Sequence, residues 1–323
     1  MIEVQGLTKR YGAKTAVDGI SFTAQPGLVT GFLGPNGAGK STTMRMIIGL
    51  DRPSAGTAIV NGKPYAEHKA PLHEVGALLD AKAVHPGRSA LGHLLAIGAT
   101  HGIGRTRVDE VIAITGLESV AKKRVRGFSL GMGQRLGIAS ALLGDPATLI
   151  LDEPVNGLDP EGVIWVRTLA RQLAAEGRTV FLSSHLMSEM AQTADQIIVL
   201  GRGKVIADST VGEIIALSSG SAVRVRTPDA DRFADVLAAP GVTVTRSESD
   251  LLVVNGLTAP RLGELASTSG VILHELTPSA GSLEEAYLTL TQDEVEYHAG
   301  GSGAAAAASA TTTADPMTEG VTR

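Results

Sequence analysis

Gly34-Pro35-Asn36-Gly37-Ala38-Gly39-Lys40-Ser41 fits the pattern G-x-x-x-x-G-K-[ST], directly after an apolar run at Leu28 to Leu33 and before a helical run at Thr42 to Leu50. Glycines at 34, 37 and 39 let successive backbone N–H groups curl around phosphate oxygens, and the helix behind them presents its positive end. Pro35, Asn36, Ala38 and Thr42 complete the loop and the first turn facing the phosphates. Lys40 supplies a mobile charge for the β and γ phosphates, and Ser41 offers a hydroxyl to Mg2+. Residue frequencies alone produce the pattern in about one or two per cent of such chains, so its strand-then-helix setting carries the reading.

A second group lies downstream. Leu149-Ile150-Leu151-Asp152-Glu153-Pro154 is an apolar strand ending in two carboxylates. An Asp at the carboxyl end of a parallel strand faces the crevice where such sheets bind ligands, so Asp152 is expected to hold Mg2+. Glu153 can take a proton from an attacking water. His185 follows the strand Thr179 to Ser183 at the same sheet edge, where it can hydrogen-bond a γ phosphate and hold that water in line. The other histidines show no paired-ligand spacing, so no zinc site is expected.

Apolar runs alternating with helical patterns must position these groups. The order is β-then-α three times, at Leu28 to Leu50, Thr148 to Ala175 and Thr179 to Ala194, with a last strand at Gln196 to Leu200. That order implies an α/β fold around a parallel sheet. Met1 to Thr23 and Gly56 to Gly62 alternate with glycine turns, which predicts an antiparallel flank. Residues 86–143 carry helical patterns and little strand signal, a helical insertion. Residues 221–291 read as βαββαβ, a small α+β domain with no phosphate loop, carboxylate pair or metal spacing. Residues 299–323 are Ala, Gly, Ser and Thr with little to bury, and are expected to be disordered.

Composition removes several classes. The net charge is −5, against a nucleic-acid partner, and the absence of cysteine rules out disulfides and thiolate chemistry. No run of about 18 apolar residues exists to cross a bilayer. Met1 to Arg10 lacks an apolar core, so no signal peptide is expected.

Phe128-Ser129-Leu130-Gly131-Met132-Gly133-Gln134-Arg135 precedes the acidic strand, and with it the chain resembles the ATP-binding cassette (ABC) ATPases, in an S-x-G-x-x-Q form of their signature motif. Gly157-Leu158-Asp159 resembles that family's D-loop, His185 its switch histidine, and Tyr11 the aromatic that stacks on adenine. The resemblance covers residues 1–217. It implies a P-loop NTPase cassette binding ATP and Mg2+, with Ser129, Gly131 and Gly133 serving a nucleotide held by a second copy of the chain, and Gln134 and Asp159 also among the nucleotide-binding residues. The family's usual Gln after the strand Glu74 to Leu79 is replaced by Asp80, which as a metal contact adds negative charge beside the phosphates.

The single cassette and the segment Gly281 to Thr291 most resemble ATPase subunits of bacterial drug and antibiotic exporters. That resemblance implies integral-membrane permease partners, a homodimer of ATPase subunits, and a peripheral place on the cytoplasmic face of the cell membrane. Import uses the same cassette chemistry and stays open. A soluble chromosome-type relative does not fit, because about 94 residues between Lys40 and Gln134 cannot hold a long coiled coil.

Overall fold

The computed structural model describes residues 1–80, 83–218, 222–279 and 282–291 of the 323. The tail expected to be disordered, 299–323, lies outside them. The chain opens with β1 (Ile2–Tyr11), β2 (Lys14–Ala24), β3 (Val29–Leu33), α1 (Lys40–Ile47) and β4 (Ala55–Val60). Next come α2 (Pro71–Glu74) and β5 (Val75–Leu78), then the helices α3 (Ala90–Thr100), α4 (Arg105–Ile114) and α5 (Leu130–Leu142). The core resumes with β6 (Thr148–Leu151), α6 (Pro160–Ala175), β7 (Thr179–Ser184), α7 (Met187–Thr193), β8 (Gln196–Gly201), β9 (Lys204–Thr210) and α8 (Val211–Ser218).

The central sheet has the order β5-β6-β7-β3-β8-β9. Its first five strands are parallel, and β9 closes the edge antiparallel to β8. The strand β9 is absent from the sequence reading, because its mixed, half-exposed residues carry no clean period. A separate antiparallel sheet, β2-β1-β4, forms the flank that the N-terminal alternation predicts.

Both faces of the central sheet are covered, which explains its unbroken apolar runs. Val29, Leu33, Leu149, Leu151, Val180 and Leu182 point into one cluster shared with the helices. Phe32, Ile150 and Phe181 point the other way, against the antiparallel flank. There Phe22, Phe32 and Phe181 meet with centroids 5.0–5.6 Å apart.

The helical insertion is held tightly to this sheet. A Cβ on Gly76 would sit 2.0 Å from the Ala141 carbonyl oxygen, and one on Gly137 would sit 2.5 Å from a Leu78 methyl. Two missing side chains thus let α5 lie almost on β5. Arg135 of α5 stacks over Trp165 of α6 at 4.4 Å and donates to the Thr115 carbonyl at 3.0 Å.

Beyond residue 221 the chain forms β10 (Ala222–Arg226), α9 (Ala230–Leu237), β11 (Thr243–Arg246), β12 (Leu251–Asn255), α10 (Ala259–Ser269) and β13 (Glu275–Ser279). The sheet order is β11-β12-β10-β13, every neighbouring pair antiparallel, with its own core around Phe233, Leu252 and Leu262. The last helix, α11 (Leu283–Thr291), departs from the sequence reading, which grouped it with this small domain. Ser282 and Glu285 cap it reciprocally, both bonds at 3.1 Å. Leu283, Ala286 and Tyr287 then bury in the cassette's own cluster with Met190, Ala194 and Ile214. Its apolar face needs α7 and α8, and no local pattern announces that.

Tyr287→Ala should therefore destabilise the whole cassette by about 3 kcal/mol, the scale for truncating a buried aromatic. The shift in the urea unfolding midpoint of the full chain measures it; an unchanged midpoint would show that α11 does not brace the cassette.

Candidate nucleotide site

The loop between β3 and α1 is shaped by its glycines. Gly37 and Gly39 have φ of +85° and +106°, and a Cβ on Gly39 would come within 2.7 Å of the Ala16 carbonyl oxygen. Position 39 therefore accepts glycine alone without strain. Gly39 caps α1 with no side-chain bond, and no acidic residue stands in the first turn. The opening N–H groups of α1 thus need an outside acceptor. They border a cavity of about 380 Å³ lined by loop residues, by Tyr11, Lys14 and Ala16, and by Asp152 and Glu153. Donors gathered in a space of that size suit a nucleotide's phosphates.

Lys40 is 7% exposed, and its ammonium donates to the carbonyls of Gly34 at 2.6 Å and Pro35 at 3.3 Å. Burial lowers its pKa, while the charges of Glu153 and Asp152 act to raise it. The Glu153 carboxylate lies 3.9 Å from the ammonium.

The acidic pair follows from the parallel register. Strand β6 ends at Leu151, and the Asp152 N–H donates to the Leu78 carbonyl of neighbouring β5 at 2.7 Å. Ser183, at the end of β7, donates its hydroxyl to Asp152 Oδ1 at 2.5 Å and accepts from the Glu153 N–H at 2.9 Å. His185 Nδ1 is 2.8 Å from Glu153 Oε2. With the proton on Nδ1, the histidine orients the carboxylate; one that also faces Lys40 is placed to receive a proton beside the phosphate loop.

The other expected residues divide between the cavity rim and places away from it. Tyr11 borders the cavity half-exposed, with its hydroxyl donating to Asp51 at 3.2 Å and the Lys9 ammonium 5.0 Å from its ring. Asp80 is exposed beyond β5 and does not line the cavity. Ser129 caps α5 by accepting from the Met132 N–H at 3.2 Å, and Asp159 caps α6 by accepting from Gly162 at 2.9 Å. A Cβ on Gly131 would stand 3.0 Å from the Gly157 carbonyl oxygen, so the signature and D-loop pack together. Ser129, Gly131, Gly133 and Asp159 do not line the cavity of their own chain.

Gln134 differs from its sequence-based expectation. It is buried, and its amide donates to the Glu153 carbonyl of the same chain at 2.9 Å, because the helical turn after Ser129 points it at the core. Ser183 escaped the sequence reading. Its signal was a pair of serines closing an otherwise apolar strand immediately before His185.

A phosphate-cradling loop after β3 and a carboxylate pair after β6, on either side of β7 at one edge of a parallel sheet, define a P-loop nucleoside triphosphatase. Residues 17–156 match the family model described as ABC transporter. Residues 221–284 match a domain of unknown function, and 122–191 match an AAA domain model described as a putative AbiEii toxin of a type IV system. The bacitracin transport ATP-binding protein BcrA of Bacillus licheniformis is 42% identical over 209 residues, 64% of this chain and 68% of its own length. The daunorubicin/doxorubicin resistance ATP-binding protein DrrA of Streptomyces peucetius is 36% identical over 303 residues, 90% of this chain and 92% of its own. A dimeric structure of MJ0796, a bacterial ABC transporter cassette, superposes with a TM-score of 0.59 at 25% identity, covering 65% of this chain and 99% of that one. The chain belongs to the ABC transporter family, as an ATP-binding subunit of the drug-exporter type. It binds and hydrolyses ATP to energise export.

Replacing Lys40 by Ala removes the one buried cation of the loop and should weaken ATP binding about tenfold to a hundredfold, as for a lost charged hydrogen bond. Titration with a fluorescent ATP analogue reads the loss; undiminished affinity would remove Lys40 from the phosphate site.

Proposed function

We propose that Glu153 is the general base of ATP hydrolysis in an exporter of a drug, antibiotic or lipid-like compound. The observation that carries this reading is the Glu153 carboxylate, set between His185 at 2.8 Å and Lys40 at 3.9 Å on the wall of the phosphate cavity. Gly34, Pro35, Asn36, Gly37, Ala38, Gly39 and Thr42 cradle the phosphates with Lys40, and Tyr11 stacks on the adenine. Glu153 takes the proton of the attacking water, and His185 steadies Glu153 and the γ phosphate.

Ser41 and Asp152 supply the protein's oxygen donors for Mg2+. Hard oxygen donors in small number suit that ion, which keeps waters and phosphate oxygens in its remaining positions. Bound there, Mg2+ offsets phosphate charge. Asp80 stands outside this set, since it is exposed and away from the cavity wall.

Ser129, Gly131, Gly133 and Asp159 serve a nucleotide on a second copy of the chain, a reading supported by their absence from the lining of their own cavity and by the dimer of the similar cassette. No helix among the described residues is long and apolar enough to cross a membrane. Separate integral-membrane permeases then carry the compound, and the ATPase sits against them on the cytoplasmic face.

Glu153→Gln should retain ATP binding, lower turnover by about two decades or more, and accumulate an ATP-bound dimer on gel filtration. Turnover at the wild-type rate would defeat the assignment. For the shared site, Lys40→Ala and Ser129→Arg chains, each inactive alone, should regain activity when mixed; an efficient crosslink between positions 129 and 40 of one chain would contradict it.

A further inference from the structure

Glu153 has φ of +49°, a left-handed backbone that residues other than glycine adopt rarely and keep only when their surroundings hold them. Its N–H donates to the Ser183 hydroxyl at 2.9 Å, and its carbonyl accepts from the Gln134 amide at 2.9 Å and, in the following turn, from the Asn156 N–H at 3.2 Å. We infer that Gln134 and Ser183 are positioning residues for Glu153: the Gln134 amide on its carbonyl and the Ser183 hydroxyl on its N–H fix the backbone twist that turns the carboxylate between His185 and Lys40. The inference rests on Glu153 as proton acceptor.

The two clamps come from different parts of the fold. Ser183 is fully buried at the end of β7, and its one hydroxyl is used twice, donating to Asp152 Oδ1 and accepting from Glu153. It therefore sets both carboxylates with a single atom. Gln134 is 4% exposed on α5 and reaches from the helical insertion to the core. The same helix begins at Ser129, so the turn that carries the signature serine also carries the grip on the base. A buried amide whose donor is spent on one carbonyl responds to small shifts of α5, and misplacement of a reacting group by about 1 Å can cost a hundredfold in rate.

The test uses the full-length chain. Gln134→Met keeps the side chain's length without its donor, Ser183→Ala removes the shared hydroxyl, and Ser183→Thr retains it. Gln134→Met and Ser183→Ala should lower kcat about tenfold or more while KM for ATP and the thermal midpoint stay near wild type, and Ser183→Thr should recover most of the rate. Combined with Glu153→Gln, Gln134→Met should not lower the residual rate further, because groups that act through one base are not additive. Should Gln134→Met fail to fold by circular dichroism, Gln134→Glu, of the same shape but with an acceptor against the carbonyl, is expected to show the same loss. An unchanged kcat in Gln134→Met and Ser183→Ala overturns the inference, as does a Gln134→Met loss that adds in full on the Glu153→Gln background. Wild-type turnover in Glu153→Gln alone would instead remove Glu153 as the base, and the inference with it.

Discussion

Strands β6, β7 and β3 run side by side in one direction, and the chemistry of the chain depends on that alignment. Parallel neighbours end on the same edge of a sheet, so whatever follows each strand is delivered to one crevice. Lys40 arrives after β3, Asp152 and Glu153 after β6, and His185 after β7. A single hydroxyl, that of Ser183, fastens the last two together. Had β6 run antiparallel to β7, the acidic pair would lie a strand's length from the histidine. The parallel arrangement in turn needs long crossovers and cover on both faces, which the helices and the antiparallel flank provide.

The helical insertion is tied to this edge at two levels. Close approach at Gly76 and Gly137 sets the height of α5 above β5, and the Arg135–Trp165 stack ties its first turns to α6. Trp165 is the chain's single tryptophan, and its indole also donates to the Ile114 carbonyl at 3.2 Å. The cap at Ser129, the contact of Gly131 with the D-loop and the grip of Gln134 on Glu153 all lie within little more than one turn. Displacing that turn moves the signature and the base together.

The small C-terminal sheet has its own core, yet the chain does not leave the cassette at its start. It departs from α8, builds β10 to β13, and returns as α11 against α8 and α7. The two helices make a clasp at the root of the small domain, and α7 begins two residues after His185. Matched along 90% of this chain, DrrA aligns through most of this region as well as through the cassette.

Patterns within about ten residues are where the sequence alone decides. The glycine spacing at 34 to 39 fixes a loop that only glycine can make, apolar runs fix strands covered on both faces, and polar residues closing such strands mark the chemical edge. Lys40, Asp152, Glu153 and His185 are visible on those grounds. Partners are settled by the tertiary structure. Gln134 reaches a carbonyl 19 residues away and Ser183 an N–H 30 residues away, and no local period encodes either meeting. The edge strand β9 and the return of α11 belong to the same kind, since each is stabilised by a surface that exists only after the rest has folded. Period and propensity determine what an element is and which side it hides; the contacts that remain after packing determine what it touches.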